Sequence, residues 1–164
     1  MIIYLLRHAI AIERGTPGYP NDDRPLTEAG IEKMKKGAKG ISRCIDRPDV
    51  ILTSPLKRAL DTAKILAAEL NAPGLVKTTD ALLPAGSTKQ LSDEMAKHKK
   101  AESIVMVGHS PDLERIAANL LGTPQRLFEF KKGGIDAIEL DALPPKRPGR
   151  LLWLLTAKQL RAIA

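Results

Sequence analysis

Three short apolar runs, each giving way to polar groups at its carboxyl end, constrain this chain more than any other feature. Residues 1–6 (MIIYLL), 50–53 (VILT) and 103–107 (SIVMV) are apolar without alternation and rich in β-forming side chains. A strand with one wet face alternates between polar and apolar residues. A run of this kind reads instead as a strand covered on both faces, as in a parallel sheet flanked by helices.

Helical patterns separate the runs. Thr27 reads as an N-cap with Glu28 in the first turn. Ile31, Met34, Ala38, Ile41 and Ile45 recur at helical spacing and predict a helix of about five turns that Pro48 closes. Ser54-Pro55 opens a second helix carrying Leu56, Leu60, Ala63, Ile65, Leu66 and Leu70, ended by residues 71–74 (NAPG). Residues 76–79 predict a short strand and residues 83–86 (LPAG) a turn. Ser87 predicts the cap of a helix running to about Lys99. Residues 108–111 (GHSP) open a helix that runs to Leu121. Residues 136–140 and 150–155 predict two strands joined by a proline-rich loop, as an antiparallel hairpin. Residues 15–25 (GTPGYPNDDRP) are loop. The expected fold is α/β, a three-layer sandwich with a mostly parallel central sheet and an antiparallel edge, in one domain over residues 1–164.

Composition narrows the class further. With 43% hydrophobic residues the chain can fill a core, and only five side chains are aromatic, so aliphatic packing must do so. One cysteine, Cys44, forms no intrachain disulfide and no thiolate metal site. The opening run is cut by Arg7 and has no basic stretch before it, unlike a secretory signal, and no stretch approaches a membrane span. The expected location is cytoplasmic. Lys and Arg number 26 against 19 Asp and Glu, a formal charge of +7, which suits nucleic acid, acidic partners, phosphorylated substrates or a solvated surface. Nucleic acid is disfavoured, because neither stacking aromatics among the positive residues nor a reading motif is present.

In open sheets of this kind ligands bind beyond the carboxyl ends of the strands. Three expected strands deliver polar groups there: Arg7-His8 after the first, Ser54-Pro55 with Arg58 after the second, and Gly108-His109-Ser110 after the third. Two histidines and two arginines at one sheet edge make an anion site, with phosphoryl the anion that best matches the arginine fork. Helix N-termini near Arg58 and His109 add to the positive field. Neighbouring cations disfavour a charged His8, which leaves its imidazole a nucleophile.

The segments Leu6-Arg7-His8-Ala9, Arg24-Pro25-Leu26-Thr27 with Gly30, residues 53–59 (TSPLKRA) with Thr62-Ala63, and residues 107–111 (VGHSP) together resemble the histidine phosphatase superfamily, whose fold is phosphoglycerate mutase-like. The short length, the LPAG turn and the Trp153 strand resemble its small phosphohistidine phosphatase branch. The resemblance implies that His8 attacks phosphorus and is transiently phosphorylated. Arg7, Arg58 and a protonated His109 would hold the equatorial oxygens, and no metal or other cofactor would be needed. The implied substrate is a phosphorylated protein of the phosphocarrier or phosphorelay kind. The alternatives are a broad phosphatase of small phosphorylated metabolites or a non-catalytic phosphate-binding module.

Two departures from the family pattern bear on chemistry. Ala9 stands where glycine is usual, which would be costly if the backbone there had positive φ. Residues 80–86 (DALLPAG) offer no glutamate to protonate a leaving group, leaving Glu13, Asp22, Asp23 or no residue as the acid. Loss of the acid hurts a basic alkoxide leaving group more than an imidazole, which favours phosphohistidine over sugar phosphates. Other features have plainer readings. His98 lies in a polar run and takes no role, and Cys44 is a small helix side chain. Phe128 and Phe130 are core, while Lys33, Lys36, Arg43 and Arg47, with the pairs at 131–132 and 146–147, form a solvated basic face.

Overall fold

Each of the three apolar runs is a strand with both faces covered. In the computed structural model, which describes residues 1–19 and 22–164, the first is β1 (Ile2–Arg7). There follow α1 (Glu28–Ser42), β2 (Val50–Thr53), α2 (Lys57–Glu69), β3 (Val76–Thr78), α3 (Thr88–Ala96) and β4 (Ser103–Gly108). The chain ends with α4 (Asp112–Leu120), β5 (Ile135–Glu139), β6 (Arg150–Leu155) and α5 (Ala157–Ala162). Pro20 and Asn21, part of the expected 15–25 loop, lie outside the described residues.

The strands form one sheet in the order β3-β2-β4-β1-β5-β6. β3, β2, β4 and β1 are parallel, while β5 runs antiparallel to both β1 and β6, the expected antiparallel edge. Successive side chains of a strand point to opposite faces, so each buried strand feeds two cores. Tyr4, Leu6, Val105 and Val107 pack with Met34, Ile41, Leu66 and Leu160 on the α1, α2 and α5 side. Ile3, Leu5, Leu52 and Met106 pack with Leu91, Leu113, Ile116 and Phe130 on the α3 and α4 side. Phe130 is 1% exposed and belongs to the core as expected, while Phe128, half-buried, packs against it edge-on at 5.3 Å. No helix among the described residues is long and apolar enough to cross a membrane.

Register decides what meets at the carboxyl edge. Arg7 pairs with Gly108, so β1 and β4 finish level, and the His8 amide continues the ladder onto the Gly108 carbonyl at 3.1 Å. Thr53 pairs with Val107, and the Ser54 amide bonds the Val107 carbonyl at 3.0 Å. Three strand ends are thereby brought to one place.

Several boundaries differ from expectation. α1 stops at Ser42, a turn early, because the Arg43 amide closes the helix on Gly40 and Ile41; Ile45 packs from beyond it. α3 ends at Ala96 rather than near Lys99. Pro55 lies two residues ahead of α2 rather than inside it. The terminal helix α5 was not expected, although Thr156 and Gln159 form a reciprocal capping box that marks its start. α5 lies against α1 backbone to backbone: a Cβ on Gly40 would sit 2.0 Å from the Leu160 carbonyl oxygen.

Candidate active site

The end of β1 supplies two of the four site residues. Arg7 is fixed through its backbone, its amide bonding the Gly134 carbonyl at 3.0 Å while its carbonyl accepts from the Gly133 amide at 3.1 Å. Its guanidinium Nη1 donates to the Phe130 carbonyl. His8 is 7% exposed, and its Nδ1 lies 2.7 Å from the Ala9 carbonyl. A carbonyl only accepts, so Nδ1 carries the proton and Nε2 of the neutral ring keeps its lone pair. Burial pulls His8 down to about 4, against the hydrogen bond to Ala9 and with help from the charges of Arg58, Arg7 and Lys132. Ala9 is absent from the residues with positive φ, so alanine replaces the usual glycine there without backbone strain.

The second strand end contributes Ser54 and, one helical turn on, Arg58. The side chain of Arg58 is 2% exposed. Thr62 ties this helix to β1: its hydroxyl donates to the Arg58 carbonyl at 2.7 Å and accepts from the Ala9 amide at 3.0 Å. The third strand end contributes His109, 4% exposed, whose Nε2 lies 2.9 Å from Ser54 Oγ. The His8 and His109 rings are 5.2 Å apart. Burial first, then the charges of Arg58 and His8, push His109 down to about 3. Without a bound anion this ring is therefore neutral near neutral pH, with Asp22 alone opposing the shift.

Arg7 Nε, Arg58 Nε and His109 Nδ1 are buried with no hydrogen-bond partner among the described residues. Buried polar atoms are nearly always paired, so three free nitrogens on three converging side chains suit an oxyanion. Among the described residues, no three His, Cys, Asp or Glu side chains gather into a group able to hold a metal ion.

The three candidate acids are not equivalent. Asp22 bonds Arg24 at 2.7 Å and both Arg14 and Arg58 at 3.0 Å. Burial favours its neutral form, but the bonds from Arg14 and Arg24 and the charge of Arg58 hold it well below the usual carboxylate range. It is a bound carboxylate and cannot serve as a resting proton donor. Asp23 caps α2, whose own N-cap residue Leu56 has no acceptor side chain: Asp23 Oδ1 accepts from the Lys57 amide at 3.0 Å. Glu13 is exposed.

Glu114 was missed from sequence. It is 3% exposed on α4, and its Oε1 accepts from Ser110 Oγ at 2.7 Å and from the Phe130 amide at 3.0 Å. It thus joins the His109 turn to the loop whose carbonyl holds Arg7. A serine and an acid four residues apart at a helix start were the available signal.

A family model described as the histidine phosphatase superfamily (branch 1) matches residues 3–83. An uncharacterized protein of Picosynechococcus sp. is 37% identical over 139 residues, 82% of each chain. Among solved structures, the protein histidine phosphatase SixA complexed with tungstate aligns with a TM-score of 0.84 at 22% identity, over 98% of this chain and 99% of that one. A protein of Agrobacterium tumefaciens assigned as a SixA phosphohistidine phosphatase aligns at 0.75 and 25% identity, over 94% and 97%. An alpha-ribazole phosphatase from Shigella flexneri aligns at 0.71 and 18% identity, over 96% and 97%. With the level strand ends and the Arg-His, Arg and His groups they carry, these matches mean that the chain belongs to the histidine phosphatase superfamily and has the phosphoglycerate mutase-like fold of its small SixA-type members.

Proposed function

We propose that this chain is a phosphohistidine phosphatase that removes the phosphoryl group from a histidine of a protein, with His8 as nucleophile and no metal. The observation that carries the reading is the state of the candidate acids: Asp22 is ionised among three arginines, Asp23 caps α2, and Glu13 is exposed. A site without a poised carboxylic acid favours a leaving group that departs without one. Imidazole, protonating near 6.5, is such a group, and a sugar alkoxide is not.

The steps follow from the hydrogen bonds. His8 Nε2 attacks phosphorus in line. The substrate ring takes a proton from solvent on its other nitrogen, so the P–N bond breaks with its electron pair on the leaving nitrogen and a neutral imidazole departs. Arg7 and Arg58 hold the equatorial oxygens, supplying the charge that a metal would otherwise supply. His109 arrives neutral and takes a proton from solvent as the dianion binds beside it. Water then attacks phosphorus, the bond to Nε2 breaks, and inorganic phosphate leaves His8 as it was. The Nδ1 bond to the Ala9 carbonyl keeps the ring in the reactive tautomer throughout.

The test compares wild type with His8→Ala on a histidine-phosphorylated protein, an aryl phosphate and a sugar phosphate. Wild type alone should turn over and form an acid-labile phosphoenzyme, with kcat/KM for the sugar phosphate far lower. Comparable kcat/KM on the sugar phosphate would refute the substrate assignment in favour of a metabolite phosphatase. Phosphate binding without turnover by both proteins would point to a non-catalytic module.

A further inference from the structure

We propose that the open groove beside Arg7 is a docking surface for the acidic face of the phosphoprotein substrate, an inference that rests on the phosphohistidine phosphatase reading. Six of the groove's lining residues are cationic: Arg7, Lys33, Lys131, Lys132, Lys158 and Arg161, and no carboxylate lines it. They come from β1, α1, the loop before β5, and α5, so the fold gathers them from four places. A lysine run solvated on one helix face does not do this.

Most of these cations have no partner of their own. Among the described residues Lys33, Lys132, Lys158 and Arg161 form no ion pair, and Lys131 reaches only the exposed Glu129 at 3.4 Å. Unpaired like charges repel one another and weaken the fold, which makes their concentration at the site mouth notable. The patch is continuous with the chemistry at one end, since Arg7 lines it and the Lys132 charge reaches His8. At the other end Lys33 and Arg161 also line a second groove, with Lys36, Lys39 and Arg43; of its two carboxylates, Glu32 is paired with Lys35.

A phosphoryl group has three equatorial oxygens, and Arg7, Arg58 and His109 match them. The five cations beyond Arg7 along α1, α5 and the 131–132 loop therefore face whatever carries the phosphoryl group. With Arg7 they are gathered from four segments of the chain, and a protein surface rich in Asp and Glu is complementary to them together. Nucleic acid fits less well, because no aromatic side chain lines either groove for a base to stack on.

The test uses three probes: a phosphohistidine peptide flanked by glutamates, one of equal length flanked by lysines, and N-phosphoimidazole. Wild type should prefer the acidic peptide by about tenfold or more in kcat/KM at low salt, with the preference shrinking as ionic strength rises. Lys33→Glu/Lys158→Glu should abolish the preference while turnover of N-phosphoimidazole stays within about twofold of wild type. Lys33→Gln/Lys158→Gln, neutral rather than reversed, should show an intermediate loss and guards against a reversal that harms folding. Equal kcat/KM on the two peptides by wild type, or an undiminished preference in both variants, overturns the docking surface and leaves the phosphatase reading standing. No turnover of N-phosphoimidazole by wild type overturns both. Saturable oligonucleotide binding that the variants lose, without peptide preference, overturns it in favour of nucleic acid.

Discussion

Asp22→Asn should tighten the binding of phosphate-like anions. Arg58 Nη1 donates to the Asp22 carbonyl at 2.7 Å and Nη2 to its Oδ2 at 3.0 Å, so both terminal nitrogens that would fork onto a phosphoryl group are engaged by this one residue. Hydrogen bonds to charged groups contribute about 1.5–3 kcal/mol. Only the Oδ2 contact is charged on both sides, and the Asp22 side chain is 25% exposed, so screening brings its share to about 1–1.5 kcal/mol. Asparagine accepts the left-handed backbone at φ 59 as readily as aspartate does, so the substitution removes charge with little strain. A gain of about 1.4 kcal/mol is tenfold, so the inhibition constant for tungstate against an aryl phosphate should fall about tenfold at low salt and less at high salt. The same change leaves Arg14, Arg24 and Arg58 facing one another, so Tm without anion should drop and recover with saturating tungstate. The Asp22 carboxylate is depressed in the fold, so its stabilisation is complete above its unfolded value of about 3.9 and is lost only as pH falls below it. The Tm deficit of the variant should accordingly be flat above about pH 4. An unchanged or weaker tungstate constant would refute the reasoning, since Asp22 would then be orienting Arg58 for the anion instead of competing with it.

Two further buried carboxylates give contrasting predictions. Glu114→Ala leaves the Phe130 amide and Ser110 hydroxyl unpaired, at about 1–3 kcal/mol each, and loosens the loop that holds Arg7, so kcat/KM on an aryl phosphate should fall about 10–100-fold. Glu114→Gln keeps an acceptor oxygen and should recover most of that loss; failure of glutamine to rescue, with folding intact, would argue against the positioning role. Asp136, fully buried on β5, accepts from the Leu5 amide at 3.2 Å, and burial pushes its carboxyl up to about 8 against that bond. A raised acid contributes stability below its unfolded value that is lost as pH climbs through the folded one. The Tm of Asp136→Asn should therefore gain on wild type between pH 5 and 8, as thermal melts across that range would show, and a constant difference would mean that the folded carboxyl is not raised and is already ionised throughout.

The sheet and the four converging side chains were legible because they depend on local order. An apolar run of five or six residues predicts a covered strand, and the residue after it must emerge at the carboxyl edge. Arg7, His8, Ser54 and His109 were found this way, and Arg58 by its place in the first turn of the following helix. What escaped depends on contacts between segments far apart in the chain. Asp23 caps a helix 34 residues away, and Glu114 bonds an amide 16 residues on. The spacing of Asp22 and Asp23 within one loop does not say that the first meets three arginines and the second a helix N-terminus. α5 escaped for a different reason. Its capping box was readable, but its six residues carry too little helical period to stand out beside the strand before it.

The state of the histidines follows from the same separation of roles. Arginine keeps its charge even when buried, so Arg58 at 2% exposure can hold an anion without a proton being supplied. An imidazole in the same surroundings loses its charge, and the burial and neighbouring guanidiniums that take His8 to about 4 are what leave Nε2 free near neutral pH. A dianion beside His109 reverses the sign of the field that this ring feels, so anion binding and proton uptake are coupled there. The folded pKa of His109 lies below its unfolded value, so the neutral ring is favoured above about 6.5 and its stability contribution is lost as pH falls towards about 3. Bound anion opposes that loss. Acid should therefore destabilise the free protein through both histidines while strengthening its grip on an oxyanion through one of them.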